Sequence, residues 1–263
     1  MRLYEDREME LWEHLSELRS RIFRALIYLA VGAIGGWILY PIVLKPLIER
    51  PLAPLIHKYH IVMAYRHITG AFMLELQVAV IAGLILALPL LTLELWGFVA
   101  PGLTREERKG FYFVVPLSLF FFFLGITTAY FILPSAFGYF ASFLYQSSAV
   151  STELIQDPLM YYTFVMKMLL AFGIVFQLPV VLMFLAWIGL VNTRMMKQNW
   201  RYAIVGCSVI GAVATPSNDA PSMLMMVVPL IILYFASIWL VGIVERLRAR
   251  KEARAVGPSY EAS

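Results

Sequence analysis

Long runs without charge constrain this chain more than any other feature. Six mostly apolar stretches run from Ala25 to Leu44, Leu76 to Leu93, Gly110 to Thr152, Met168 to Thr193, Tyr202 to Asn218 and Ala220 to Val244. A helix crossing a hydrocarbon core about 30 Å thick needs about 20 such residues. In lipid only helices and closed barrels satisfy every backbone polar group. Composition points the same way: 61% of residues are hydrophobic and 14% charged, where soluble domains carry roughly 25% charged residues. The pattern predicts an all-α polytopic membrane protein folded as a single membrane domain.

The spans are predicted at 22–44, 73–95, 111–133, 162–188, 202–214 and 222–244. The third apolar stretch is too long for one crossing. Pro134 and the polar stretch Tyr145 to Ser148 place the end of that helix at Leu133, with a loop after it. The fifth helix is short, at about 1.5 Å per residue roughly 20 Å long. Pro89, Pro116, Pro179 and Pro229 lie in or beside spans; each removes a backbone donor and bends its helix, which predicts a curved, concave arrangement. Leu11, Leu15, Leu18 and Ile22 recur at spacings of 4, 3 and 4, so residues 1–21 are predicted to contain an amphipathic helix lying along the membrane face.

Lys and Arg set the orientation, because cytoplasmic segments near span ends retain them. One side would carry Arg2, Arg7, Arg19, Arg21 and Arg24, then Arg105, Arg108 and Lys109, then Arg194, Lys197 and Arg201, then Arg246, Arg248, Arg250, Lys251 and Arg254. The other has Lys45, Arg50, Lys58 and Arg66. Both termini, including the tail 245–263, are therefore predicted to be cytoplasmic. The net charge of +4 reads as topology, and no nucleic-acid partner is predicted. Residues 1–21 alternate acidic and basic groups, unlike a cleavable signal peptide. The two halves show no repeat, which weakens an inverted-repeat transporter.

Few residues offer chemistry. The single cysteine, Cys207, excludes an intramolecular disulfide and any zinc site of several cysteines. His14, His57, His60 and His67 have no ligand spacing, so no metal or cofactor is predicted. Motifs of metalloproteases, nucleotide-binding loops and serine hydrolases are missing, and an enzyme is not expected. Glu17 and the pair Glu106/Glu107 sit among arginines. They read either as solvated partners of Arg19, Arg21, Arg105 and Arg108, or as an acidic site for a basic ligand; paired carboxylates would favour guanidinium, which they bind through two parallel hydrogen bonds. Gln177, mid-span, must find a partner, as interhelical glue or as a functional group. Glu75, Gln77 and Glu94 lie near helix ends and read as capping or snorkelling residues, and Lys167 as an interface residue. A small secondary transporter or channel, with Glu75, Gln77 and Gln177 as a polar path, is the alternative. A pure scaffold would leave Glu17 and Glu107 replaceable.

Four motifs in order resemble the TatC family, the polytopic core of the twin-arginine protein translocase, over about Leu11 to Val244. The family's HLxELRxR appears as His14-Leu15-Ser16-Glu17-Leu18-Arg19-Ser20-Arg21. The segment Trp96-Gly97-Phe98-Val99-Ala100-Pro101-Gly102-Leu103-Thr104-Arg105-Glu106-Glu107-Arg108 is similar to WxFxxPxLxxxER, and Phe172-Gly173-Ile174-Val175-Phe176-Gln177-Leu178-Pro179 to FGxxFExP. Thr215-Pro216-Ser217-Asn218-Asp219 resembles the outer turn TP(x)PD.

The resemblance implies a subunit of the bacterial cytoplasmic membrane, without cofactor. It would bind twin-arginine signal peptides of folded precursors and, with TatA- and TatB-like partners, export them using the proton-motive force. Self-association in the bilayer is also implied. Matched by position, Glu17 and Glu107 fall on the acidic residues that recognise the arginine pair and Phe98 on an aromatic of that site, with Leu18 and Arg19 in the same motif. Gln177, with Phe176 and Pro179, would face a partner helix; many members have glutamate at 177, so a titrating carboxylate is not implied. Thr215, Pro216 and Asp219 would form the outer turn, Asp219 aligning only if one residue is inserted. Met223 falls where a glutamine often follows.

Overall fold

The computed structural model describes residues 11–99, 105–147, 155–215 and 219–256. It is built from helices: α1 Leu11–Leu39, which passes through a π-turn at Tyr40–Leu44 into α2 Lys45–Glu49, α3 Ala53–Tyr59, α4 Gly70–Val99, α5 Arg105–Ser147, α6 Pro158–Val175, α7 Leu178–Trp187, α8 Thr193–Gln198, α9 Trp200–Ala214 and α10 Ala220–Val256. Two-residue strands, β1 Val62–Met63 and β2 Ile155–Gln156, pair in parallel and tie the segment before α4 to the one before α6. Five helical stretches are long and apolar enough to cross a membrane, Ser16–Glu49, Gly70–Leu95, Val114–Ser142, Pro158–Trp187 and Ala220–Leu247, and Trp200–Ala214 is a shorter apolar helix.

Close packing of α1 on α4 depends on small residues. A Cβ on Gly32 would lie 2.5 Å from the Gly83 carbonyl oxygen, and one on Gly36 2.5 Å from that of Ala79. Lipid supplies no hydrophobic drive for helices to associate, so backbone approach at small residues is how van der Waals contact is gained there. Further along, α6 and α7 run through the middle of the core, where Phe172, Val165 and Val180 are almost wholly buried, and α10 packs on them with Leu230 and Val241 fully buried.

Several elements differ from the sequence expectations. The amphipathic segment is not a separate helix: α1 is unbroken from Leu11 to Leu39, since no breaker separates Arg19 from Ala25. The helix predicted to stop at Leu133 continues through Pro134 to Ser147. An interior proline costs about 3 kcal/mol, and packing on both sides of it offsets that: Leu133 before it and Ala136 after it are buried, and the Phe137 ring lies 5.0 Å from Tyr161 and 5.6 Å from Phe164. The fourth predicted span is two helices, broken at Phe176–Gln177 where Pro179 removes the donor that would continue the ladder. The tail predicted at 245–263 begins as helix, because α10 runs on to Val256. The Glu245 carboxylate accepts the Thr193 backbone N–H at 2.8 Å and the Thr193 hydroxyl, pinning α10 to the start of α8. The short fifth helix is α9, its 15 residues spanning about 22 Å.

Candidate functional site

Where α1 begins and α4 ends, a compact ionic cluster joins the two helices. Arg21 is its centre. Its Nε donates to Glu17 Oε1 at 3.0 Å and its Nη2 donates to the same oxygen. From the other side of the fork, Nη1 donates to Glu94 Oε2 at 3.0 Å and to the Glu94 main-chain carbonyl at 3.1 Å. Glu17 and Arg21 come together because residues four apart stack on one helix face. Glu94 meets them because α1 and α4 run antiparallel, Gly32 lying against Gly83 and Gly36 against Ala79, which brings the start of one beside the end of the other.

Both Glu94 oxygens are engaged, Oε2 also by Arg24 Nη2 at 3.2 Å and Oε1 by the Tyr28 hydroxyl at 3.3 Å. Gly97, one turn on, makes room: a Cβ there would meet Arg21 Nη1, with Cζ 3.2 Å away. The side chains of Arg21, Glu17 and Glu94 are only 17%, 20% and 14% exposed, so the pairs are less screened than surface ion pairs worth about 0–1 kcal/mol. One atom stands out: Glu17 Oε2 is buried and accepts no hydrogen bond among the described residues. An unsatisfied buried acceptor is uncommon and calls for an explanation.

Phe98, half-buried, lies in the last turn of α4, one residue past Gly97. Leu18 and Arg19 are exposed on α1. Glu107 falls in the first turn of α5, and its side chain lies outside the described residues, as do those of His14 and Leu15. Glu94 is the residue sequence reasoning missed. Read as a cap, it is the acceptor that binds α1 to α4; an acid at the end of one span facing arginines at the start of the previous one was the available signal.

Gln177 joins helices within the chain. Its amide accepts the Ser118 hydroxyl at 2.6 Å and donates to the Ser118 carbonyl at 3.1 Å, tying the α6–α7 break to α5. Phe176 and Pro179 are buried, while Gln177 itself is partly exposed. The three polar residues of the transporter alternative do not form a path. Gln77 accepts the Thr163 hydroxyl at 2.9 Å, and Thr163 precedes Gln177 by about 21 Å of helix at 1.5 Å per residue. A groove of about 830 Å³ between α5 and α10, with Thr127, Phe131, Tyr139, Leu224 and Val228 among its lining, is walled by uncharged side chains and includes none of the three.

At the opposite face Asp157 and Asp219 cap helices, accepting the N–H of Leu159 at 3.0 Å and of Ser222 at 2.7 Å. Thr215 is buried, its hydroxyl donating to the Gly211 carbonyl at 2.6 Å; Pro216 lies outside the described residues. The Tyr161 hydroxyl donates to the Ile48 carbonyl at 3.0 Å and that of Tyr162 to Glu49, fastening α2 to α6. Lys167, read as an interface residue, is exposed nine residues into α6, beside Ala171, Ile174 and Ala214.

Fold and site together define a multi-pass helical membrane protein with an arginine–carboxylate cluster at one face. The family model described as Sec-independent protein translocase protein (TatC) matches residues 13–229. Among similar proteins, the TatC of Desulforapulum autotrophicum is 38% identical over 89% of this chain and 84% of that protein. The chloroplastic TATC of Oryza sativa subsp. japonica is 36% identical over 93% of this chain and 66% of that protein. A crystal structure described as Twin Arginine Translocase Receptor- TatC superposes with a TM-score of 0.73 at 29% identity, covering 89% of this chain and 100% of that one. The chain belongs to the TatC family and is a subunit of the twin-arginine (Tat) protein translocase, a transport component and not an enzyme.

Proposed function

We propose that this subunit is the receptor for twin-arginine signal peptides, and that the cluster at the start of α1 is where the arginine pair is read. The observation that carries this is Glu17. Its carboxylate is held in place by Arg21, yet its Oε2 is buried without a donor, which leaves an oriented acceptor for a guanidinium from outside. Phe98 lies one residue beyond Gly97, the glycine packed on the cluster, and an aromatic face attracts a cation beside it. Glu107, from the first turn of α5, supplies the second carboxylate of the site.

In this reading the protein sits in a bacterial inner membrane and the face with the cluster is cytoplasmic, an orientation that the distribution of Lys and Arg supports. TatA- and TatB-like subunits, further copies of this chain and the proton-motive force complete the export of folded precursors. Arginine is selected over lysine by geometry: a planar fork can engage both oxygens of a carboxylate, which a single ammonium cannot.

Equilibrium binding of a labelled signal peptide to the full chain in nanodiscs tests this. The Arg-Arg peptide is expected to bind at least about tenfold more tightly than its Lys-Lys counterpart, the equivalent of about 1.4 kcal/mol, and E17Q and E107Q are each expected to erase that preference. Equal affinity for both peptides would reject the receptor role.

A further inference from the structure

The guanidinium that a peptide would bring to Glu17 is already there, supplied by the chain itself. Arg21 places two nitrogens on Glu17 Oε1 and its third on Glu94. The two carboxylates of the cluster are balanced by Arg21 and Arg24. A fork that binds a carboxylate side-on uses both oxygens, and on Glu17 only the buried Oε2 has no donor already in place. Full bidentate capture therefore requires Arg21 to leave Oε1.

Arg21 has somewhere to remain when it leaves. Its Nη1 contacts to the Glu94 carboxylate and main-chain carbonyl do not involve Glu17, and Gly97 keeps the space beside α4 open for the guanidinium. Glu94 is itself fixed by Arg24 and Tyr28, so it does not have to move to hold Arg21 alone.

We propose that Arg21 is a resident competitor for the peptide-binding carboxylate, and that Glu94 is a positioning residue that retains Arg21 when the peptide arginine displaces it from Glu17. This rests on the receptor role of Glu17. Recognition is thus an exchange of one guanidinium for another at Glu17, with Arg21 withdrawing onto α4. A lysine in the peptide cannot complete the exchange, because one ammonium does not replace both donors that Arg21 gives up.

The test is a double-mutant cycle on the full chain in nanodiscs, with Arg-Arg peptide affinity read by fluorescence anisotropy and melting temperature recorded for each variant. E94Q removes the charge that retains Arg21 and is expected to weaken binding about tenfold. R21Q removes the competitor and is expected to bind several-fold more tightly than the unaltered protein. In R21Q/E94Q the effect of E94Q is expected to vanish, a rescue that a merely structural role for Glu94 does not produce. G97A, which crowds Arg21 off α4 without altering any charge, is expected to weaken binding as E94Q does and to be rescued by R21Q in the same way; this arm stands even if one E94Q variant fails to fold. Equal loss from E94Q with and without Arg21, or loss of binding in a folded R21Q, would overturn the exchange. E17Q, run alongside, separates the two levels: if it leaves the Arg-Arg preference intact the receptor role fails, whereas if it erases that preference while E94Q and R21Q act additively only the exchange fails.

Discussion

Several polar side chains in the apolar region of this protein are matched to a named partner within the chain, Gln177 among them. The amide of Gln177 closes a two-bond pair with Ser118. Interhelical hydrogen bonds in membranes contribute on average about 0.6 kcal/mol, rarely above about 1.7. Q177A is therefore expected to lower unfolding stability in detergent by about 1 kcal/mol, and S118A combined with it to cost less than the two effects added, because both remove the same tie. Strict additivity in a double-mutant cycle would show that the pair is not coupled. The presence of a polar residue at 177 was legible in the sequence. Its role was not, since a mid-span amide is equally suited to a partner within the chain and to one outside it, and only the position of α5 distinguishes them. Glu94 was misread for the same reason: capping and interhelical pairing require the same residue type at the same helix end, and the outcome depends on which face of α1 lies opposite.

Helices are held by small residues and broken by proline only where packing allows. The contact between α1 and α4 leaves no space for a side chain at Gly83, where a Cβ would lie 2.5 Å from Ala33 Cα. G83A is expected to destabilise the protein by about 1–3 kcal/mol, the usual range for overpacking. At Gly206 on α9 a Cβ would meet nothing within 4 Å, so G206A is expected to be neutral or to stabilise by up to about 1 kcal/mol. Thermal melts of the two variants would check the pair, and the reverse order would contradict the packing account. Apolar runs located the long helices because their length alone carries the signal. Ends were harder. Pro134 looks like a stop in the sequence, but Phe137 stacks against Tyr161 and Phe164 and carries the helix on; the equally plain Pro179 does break its helix, with Gln177 bonded across the gap to Ser118. Identical local chemistry gives opposite results according to what the next turn packs against.

The molecule as a whole is uneven in thickness. The α5 helix has 43 residues and extends about 64 Å, while α9 extends about 22 Å, less than the roughly 30 Å core. So short a helix is accommodated by a bilayer that thins beside it or by neighbouring helices that shelter its ends, and thinning costs fractions of a kcal/mol per Å. Stability in vesicles is therefore expected to fall steadily as the acyl chains are lengthened; a midpoint that rises with lipid length would contradict this. Among the described residues the same molecule gathers Glu17, Arg21, Arg24 and Glu94 where α1 begins and α4 ends. The motifs for this face were legible in the sequence, but the arrangement of Arg21 between Glu17 and Glu94 was not, because it depends on the register of two helices 73 residues apart.

The central claim is that an arginine pair is read at that face. A photoreactive amino acid at position 98, in membranes containing the otherwise unaltered chain, tests it most directly. The expected result is a crosslink to an Arg-Arg signal peptide that is lost with Lys-Lys and weakened by E17A. A crosslink of equal strength to both peptides, or none to either in membranes where the protein is folded, would contradict it.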